Sequence, residues 1–274
     1  EMEKYNVPLL NWYNIETLEP LRPRYVSTVD SGNLMGALTA LDSGFRECQN
    51  APLLGQFVLD GALDSIAVLE ETLHLPEDEW GKEISDLVGQ LKVLLSENSQ
   101  TILSRLRAAL PLAEKLTLCI RPQESALKAI AFPQPSATLD PRQGAVELNY
   151  WVAALEQQLQ SWNHLCNRYL QWHEKLAQTT PEFLAPLGEE VIAARQNILE
   201  TIPSLADLGH GNLPDVKVLL RAAENLPQPE SLHTWLISFK ASYERAQWLA
   251  GEMLALNHEL VDRARKLADE MDLQ

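Results

Sequence analysis

Ten polar and aromatic residues near the amino terminus are of the types that bind sugars. Asp, Asn and Arg side chains hydrogen-bond sugar hydroxyls, and aromatic rings pack against the C–H surface of a sugar ring. Binding residues are often carried by loops on a rigid scaffold. Residues 1–29 have no helical period and contain three prolines, which indicates an extended or looped segment. The ten residues are Asn11, Trp12, Tyr13, Arg24, Tyr25, Ser27, Thr28, Asp30, Ser31 and Asn33.

The same residues also have a purely structural interpretation. Asp30 or Ser31 can cap the helix that we predict to begin there, because short polar side chains accept hydrogen bonds from the first backbone N–H groups of a helix. Asn11 and Arg24 would then pin the preceding loop. The residue pattern alone favours neither interpretation over the other.

Metal sites are not indicated by the histidines and cysteines. "HELVDR", from His258, resembles the start of a zinc-protease motif, but Asp262 stands where the second histidine belongs. His164, Cys166 and His173 are spaced loosely along one predicted helix and do not form a tight set of ligands. We therefore predict core or surface positions for these residues and no bound metal.

Carboxylates and glycine-rich loops give no catalytic pattern either. The pairs at 70–71 and 189–190 are adjacent glutamates, so in a helix their side chains point about 100° apart. Glycoside chemistry needs two carboxyl groups that converge across a cleft. No phosphate-binding loop, dinucleotide fingerprint or nucleophile elbow occurs in the sequence. We predict no catalytic residue within the chain and no cofactor.

Composition indicates a globular, acidic chain. Its 274 residues are 46% hydrophobic and carry a formal charge of −16. This charge repels phosphate backbones, so nucleic acid is not an expected partner, whereas a neutral sugar is unaffected. The odd count of three cysteines favours a reducing compartment over a disulfide framework. No apolar run approaches the ~20 residues of a membrane-spanning helix.

Helical periodicity dominates the rest of the sequence, and no strand is predicted. Short connections between long helices favour an array or bundle of about eight long antiparallel helices, which makes the fold class all-α. Trp and Tyr residues recur at helical spacing over 150–172, which more often indicates core than a sugar platform. The predicted helices begin near Asp30, Leu54, Asp78, Ser99, Ala145, Glu182, Asp215 and Ser231, with a break or kink at Pro111 and an uninterrupted helix from Ala145 to Ala177.

Residues 121–144 form the clearest predicted linker, because they contain four prolines. This linker divides the chain into three predicted parts. Residues 1–120 carry the polar loop block and the first helices, 121–144 connect, and 145–274 form a bundle of long helices.

The stretch "NWYNIETLEPLRPRYVSTVDSGNLMGAL" resembles a block found in cyclic β-1,2-glucan synthases. There it runs as Asn-Trp-Tyr-Asp, a Leu-x-Pro-Leu turn, and then Arg-Tyr-Val-Ser-Thr/Ser-Val-Asp-Ser-Gly-Asn-Leu. The end of the chain, "ARKLADEMDLQ", is also similar to that family. Residues 75–230 carry no motif that we associate with it.

The resemblance implies a piece of the middle module of a very large bacterial inner-membrane enzyme. In that family one module makes linear β-1,2-glucan, a glycoside-hydrolase-like (α/α) toroid closes the ring by retaining glucosyl transfer, and a third module trims the chain. The piece would be soluble, lie on the cytoplasmic side, and have β-1,2-glucan and the other modules as partners. The residues that match the family block, and would line or brace the cleft, are Asn11, Trp12, Tyr13, Arg24, Tyr25, Ser27, Asp30, Ser31 and Asn33.

Two departures from the family accompany these expectations. Asn14 stands where the family usually has Asp, which weakens an acid–base role there. The sequence stops at Gln274, where the family's barrel would continue, so the catalytic carboxylates are expected beyond it. An incomplete toroid would expose apolar helix faces and favour self-association. The alternative is a non-catalytic helical spacer or docking domain that joins modules of the parent enzyme and binds no sugar.

Overall fold

The computed structural model describes residues 10–72, 77–98, 101–120, 141–225 and 229–270. In these ranges the chain is helical, and the only β-type pairings are isolated bridges, which confirms the all-α class. Eight of the described helices contain at least twelve residues. In chain order the helices are α1 (Thr28–Asn50), α2 (Gln56–Thr72), α3 (Glu79–Ser96), α4 (Ile102–Ile120), α5 (Pro141–Tyr169), α6 (Gln171–Ala177), α7 (Pro181–Leu184), α8 (Glu189–Glu200), α9 (Leu205–Gly209), α10 (Pro214–Asn225) and α11 (Glu230–Glu270).

The described residues divide into two compact units. Unit 1 draws on Glu1–Pro52, Pro203–Lys217 and Glu244–Gln274, and unit 2 on Leu53–Ile202 and Val218–Tyr243. The helices α10 and α11 contribute to both. The toroid and the three-part division of the sequence at 121–144 stay predictions. Most of that linker lies outside the described residues, and α5 begins at Pro141.

Unit 2 is built around α2, α3, α4 and α5. The main contacts join α2 to α3 and α5, and α4 to α3 and α5, and a smaller contact joins α2 to α4. Helical spacing predicts that Val58, Ala62, Ile66 and Leu69 face inward on α2, and all four are buried. Asp78, whose residue type predicts a cap, does cap α3, because its side chain accepts from the Gly81 N–H at 2.8 Å. Trp80 Nε1 donates to the Cys119 carbonyl at 3.0 Å and so ties α3 to α4.

The aromatic residues at 150–172 mainly pack against other helices of unit 2. This agrees with the prediction that they belong to the core. Trp172 is only 1% exposed and lies edge-on to Phe239 and Tyr243, at centroid distances of 6.2 and 5.4 Å. Trp151 and Trp162 are half-buried. The stripe is therefore mainly a helix-packing surface.

The predicted helix over Ala145–Ala177 is interrupted at Leu170, where α5 ends and α6 begins. Leu170 has φ −123° and ψ 10°, outside the helical range. The Trp172 indole N–H donates to the Tyr169 carbonyl at 2.8 Å, which gives that carbonyl a partner at the break. Periodicity does not reveal such a break, because the apolar spacing continues across it.

Helix α4 differs from its prediction in the opposite way. It continues from Ile102 through Pro111 to Ile120 as one helix, so a break at Pro111 is wrong, and the alternative of a kink there stays a prediction. Pro111 is exposed, so the Arg107 carbonyl that loses its N–H partner at i+4 has access to water at this side of the helix.

Helix α1 in unit 1 has an exposed apolar face. The predicted inward stripe is not buried in the described residues, since Leu34, Leu41 and Cys48 are exposed and Leu38 and Phe45 are half-buried. Ser31 is the buried residue of the helix. An amphipathic pattern marks a face that can be covered, and here the described packing of α1 against α9 covers little of it.

Candidate functional site

The loop before α1 folds back on itself through backbone hydrogen bonds. The N–H of Asn11 donates to the Tyr25 carbonyl at 3.0 Å, and the N–H of Leu21 donates to the Trp12 carbonyl at 2.9 Å. Tyr13 and Pro20 form an isolated antiparallel bridge next to the second contact, on the side of the loop tip. The folded loop therefore holds its first residues beside the start of α1.

Asn14 makes the turn at the tip of this loop. Its side-chain oxygen accepts from the N–H groups of Glu16 and Thr17 at 2.8 and 3.0 Å, and its own N–H donates to the Glu19 carbonyl at 2.9 Å. Asn and Asp side chains both make this kind of turn. The Asn found where the resembled family has Asp therefore keeps the turn and has a structural task.

Four of the predicted site residues meet in what we call the N-terminal polar cluster: Asn11, Trp12, Tyr25 and Asp30. The indole N–H of Trp12 donates to the Tyr25 hydroxyl at 3.0 Å. With its amide turned to satisfy its neighbours, Asn11 donates to Asp30 Oδ2 at 2.9 Å and accepts from the Tyr25 hydroxyl at 3.1 Å. Trp12 and Tyr25 remain 57% and 47% exposed. The cluster thus joins two exposed rings, an amide and a carboxylate on one surface.

The cap of α1 is Ser27, so the prediction of Asp30 or Ser31 as the cap is wrong. The Ser27 hydroxyl accepts from the Asp30 N–H at 3.2 Å, and the Ser27 carbonyl accepts from the Ser31 N–H at 3.1 Å. The helix begins at Thr28, three residues earlier than Ser31. Asp30 is therefore in the first turn, where its carboxylate is directed to Asn11 rather than to a capping bond.

The remaining predicted residues lie around the cluster. The Tyr13 hydroxyl accepts from the Leu10 N–H at 2.8 Å, so Tyr13 braces the loop. Ser31 is buried beneath the helix start, while Arg24 and Asn33 are exposed. The structure thus brings four of the nine residues into direct contact, and Ser27, Tyr13 and Ser31 support them.

His164, Cys166 and His173 occupy surface and core positions, as predicted. His164 is exposed, whereas Cys166 and His173 are buried. Burial raises the pKa of Cys166 to about 12, so this thiol stays protonated and is a poor nucleophile. Within the described ranges no group of three His, Cys, Asp or Glu residues is placed to hold a metal ion, and no helix is long and apolar enough to cross a membrane.

One polar network in unit 2 has no signal in the sequence. Arg107 pairs with Glu174 through two hydrogen bonds, of which Nη2 to Oε2 measures 2.9 Å, and its Nη1 donates to Asn163 Oδ1 at 2.9 Å. The hydrogen bond to Glu174 raises the pKa of Arg107. Asn163 in turn donates to the Leu106 and Leu159 carbonyls at 3.3 and 3.0 Å. The network ties α4, α5 and α6 together, and its residues are too far apart in sequence to be recognised there.

Comparison with known proteins finds that part of the chain is similar in sequence to a characterised enzyme. The chain is 52% identical over 79 residues to the cyclic beta-(1,2)-glucan synthase NdvB of Rhizobium meliloti strain 1021. The matched stretch is 28% of this chain and 3% of NdvB, so the chain spans a small part of that protein. No protein-family model and no solved structure matches the chain.

Proposed function

We propose that the chain contributes to the glucan-binding cleft of a cyclic β-1,2-glucan synthase-like enzyme, in the module that closes the ring by retaining glucosyl transfer. The observation that carries this proposal is the N-terminal polar cluster, which gathers residues of the family-like block on an exposed surface. The partial identity to NdvB supports the same assignment. The chain's partners would be β-1,2-glucan and other modules of the same polypeptide, and the membrane location of the parent belongs to the proposal.

The cluster suits a neutral sugar for a physical reason. The exposed rings of Trp12 and Tyr25 offer apolar area to the C–H surface of a glucose ring. Asp30 Oδ1 has no hydrogen-bond partner within the described residues and can accept from a hydroxyl. Because Asn11 and Ser27 already hold the loop and the helix start, these groups are positioned before the ligand arrives.

Calorimetric titration with linear β-1,2-glucan oligosaccharides tests the proposal. We expect selective binding over β-1,3-glucan, weakened about tenfold or more in Trp12→Ala, which corresponds to roughly 1.4 kcal/mol. Asp30→Asn should weaken it as well. Trp248→Ala is the matched control, because Trp248 is also in unit 1, is 63% exposed and lies outside the cluster. Equal affinity for both glucans, or equal losses in Trp12→Ala and Trp248→Ala, would contradict the proposal.

The alternative of a spacer or docking domain is favoured by a different observation, the exposed apolar face of α1. Val29 is 69% exposed and Leu41 is 46% exposed, and Leu34 and Met35 lie between them. The aromatic stripe of 150–172 offers a partner helix less surface than its sequence indicates, because Trp172 is buried. If the chain, extended at both ends within its parent, still bound no glucan, the docking function would be preferred.

A further inference from the structure

A small polar cavity lies in unit 1 between the last turns of α1 and the second half of α11. Its volume is about 100 Å³, and four of its six lining residues follow one face of α11 at helical spacing. None of them belongs to the N-terminal polar cluster. Asp30 and Arg46 are 16 residues apart on α1, or roughly 24 Å at the rise of an α-helix. The lining residues are Arg46, Gln49, His258, Val261, Asp262 and Arg265.

Asp42 fixes the two arginines at the wall of this cavity. Its carboxylate accepts from Arg46 Nε at 2.9 Å, and from Nε and Nη2 of Arg265 at 2.9 and 2.8 Å. The bidentate pair of Arg265 with Asp42 links α1 to α11 and fixes the Arg265 guanidinium plane, while Arg46 is held by a single hydrogen bond. Each guanidinium has five N–H groups, so N–H donors remain on both after Asp42 is bound.

The other polar residues at the cavity supply acceptors as well as donors. The Leu254 carbonyl can only accept, so the His258 Nδ1 at 3.1 Å carries a proton, and in the neutral ring Nε2 is then an acceptor. The side chains of Gln49, which is half-buried, and Asp262, which is exposed, make no hydrogen bond or ion pair to other described residues. An amide that can donate and accept and a carboxylate that can accept therefore face the same space as the arginines.

The charged residues at the cavity favour an uncharged ligand. Arg46 and Arg265 are matched by Asp42 and Asp262, so the cavity as a whole carries no net charge when His258 is neutral. Asp262 would repel an oxyanion, and the arginines would repel a cation. A hydroxyl both donates and accepts, which matches the mixed set of groups. The volume is about that of three water molecules at ~30 Å³ each, too small for a whole hexose.

We propose that this cavity binds one hydroxyl-bearing edge of a sugar, such as a pair of vicinal hydroxyls or a hydroxymethyl group. In such a complex Asp262 and His258 Nε2 accept from the hydroxyls, and the two arginines and Gln49 donate to their oxygens. The site goes beyond the proposed function, because it lies on a separate surface and does not use the N-terminal polar cluster.

Nuclear magnetic resonance of the nitrogen-labelled whole chain tests this site. The side-chain amide of Gln49, assigned from its loss in Gln49→Leu, is followed while a β-1,2-linked glucose disaccharide is added. The chain carries Trp12→Ala, which disables the cluster. We expect a saturable shift of the Gln49 amide. Asp262→Asn, which keeps the shape and removes the charge, should weaken the titration about 5- to 10-fold. Asp64→Asn, at an exposed position on α2, should leave it unchanged.

Three results would overturn the site. A Gln49 amide that does not move at the highest disaccharide concentration means that the cavity holds only water. A shift produced by inorganic phosphate and not by the disaccharide means an anion site. A shift seen in the unsubstituted chain but lost in Trp12→Ala means an effect transmitted from the cluster. A persistent shift together with no Trp12-dependent glucan binding would refute the proposed function and leave this site standing.

Discussion

At the residue scale, Ser27 and Asp30 have different roles at the start of α1. Ser27 satisfies a backbone N–H at the helix end, while the Asp30 carboxylate takes the Asn11 amide. A carboxylate in the first turn also interacts favourably with the helix dipole. The capping bond contributes to the stability of the helix, and the second interaction holds the loop that carries Trp12.

These different roles predict that Ser27→Ala and Asp30→Ala lower the free energy of unfolding by different amounts. Ser27→Ala should lower the free energy of unfolding by about 1 kcal/mol, because it removes the capping acceptor. Asp30→Ala should lower it by less, because the cap stays intact. Urea unfolding followed by circular dichroism measures both. Ser43→Ala is the control, since the Ser43 hydroxyl donates only to the Thr39 carbonyl within the same exposed helix. A greater loss in Asp30→Ala than in Ser27→Ala would contradict this assignment.

His173 is the residue that connects stability to pH. It is 1% exposed, its Nε2 lies 3.0 Å from the Ile198 carbonyl, and its Nδ1 has no partner among the described residues. Burial lowers the pKa of His173 below its ordinary 6.5, partly offset by the Ile198 hydrogen bond and the Glu174 charge. The unfolded chain therefore binds the proton more readily than the folded chain.

The sign of the effect follows from this difference in pKa. Stability is full above about pH 6.5 and falls as the pH drops toward the lowered folded pKa, by up to ~1.4 kcal/mol per pH unit. His173→Gln should flatten this slope, whereas His164→Gln, at an exposed position on α5, should keep it. The measurement is the urea midpoint between pH 5 and 7.5. An unchanged slope in His173→Gln would show that other groups cause the acid sensitivity.

At the element scale, α4 tolerates a proline because of where the proline lies. Pro111 is exposed, so the proline ring lies on the solvent side of α4 and not within its packing against α3 and α5. The buried residues Leu106, Ala109, Ala113 and Leu116 continue along one face on both sides of it. Packing of this face keeps the helix continuous although the local propensity opposes it.

Replacing Pro111 should therefore stabilise the protein. In Pro111→Ala the backbone N–H of residue 111 becomes available to the Arg107 carbonyl. We expect a gain of about 1–3 kcal/mol in the free energy of unfolding, reduced somewhat by the greater freedom of the unfolded chain. Thermal unfolding gives the result, and Pro186→Ala in the 3-10 turn after α7 is a comparison outside any long helix. A loss of stability would mean that Pro111 fixes a helix geometry that the packing requires.

At the scale of the whole molecule, neither compact unit is a continuous stretch of sequence. Unit 1 takes three segments of the chain and unit 2 takes two. The packing of α2, α3, α4 and α5 in unit 2 joins helices from both sides of the proline-rich segment at 121–144. Helix α3 covers only part of the apolar faces of α2 and α4, and α5 covers the rest, so this core depends on both halves of the chain.

Separating the halves should therefore expose core. Residues 1–120 and 145–274, expressed alone, are each expected to unfold without a cooperative thermal transition or to aggregate, because each lacks part of unit 2. When the two are expressed together they should associate, through α5, into a species with a cooperative transition. Circular dichroism and size-exclusion chromatography provide the measurement. A cooperative transition in each separated half would instead establish the three-part division predicted from the sequence.

Much of the helical architecture is decided locally and was therefore predictable. Apolar spacing placed the buried face of α2, and Asp78 was identified as the cap of α3, because both features depend on residues within a few turns of each other. Periodicity also predicted the all-α class. It did not give the break at Leu170 or the continuity at Pro111, since both depend on what the surrounding helices pack against.

The sequence by itself identified the candidate site residues near the amino terminus, through their types and their resemblance to a known block, and their binding of a sugar stays a prediction. Only the tertiary structure decided which of them meet. Asn11 reaches Asp30 because the intervening loop folds back, and Arg107 reaches Glu174 because three helices pack together. The exposure of the apolar face of α1 was also not predictable, because periodicity shows which face of a helix is apolar but not whether another element covers it. Contacts between distant segments follow from the packing of the whole chain, and no local pattern records them.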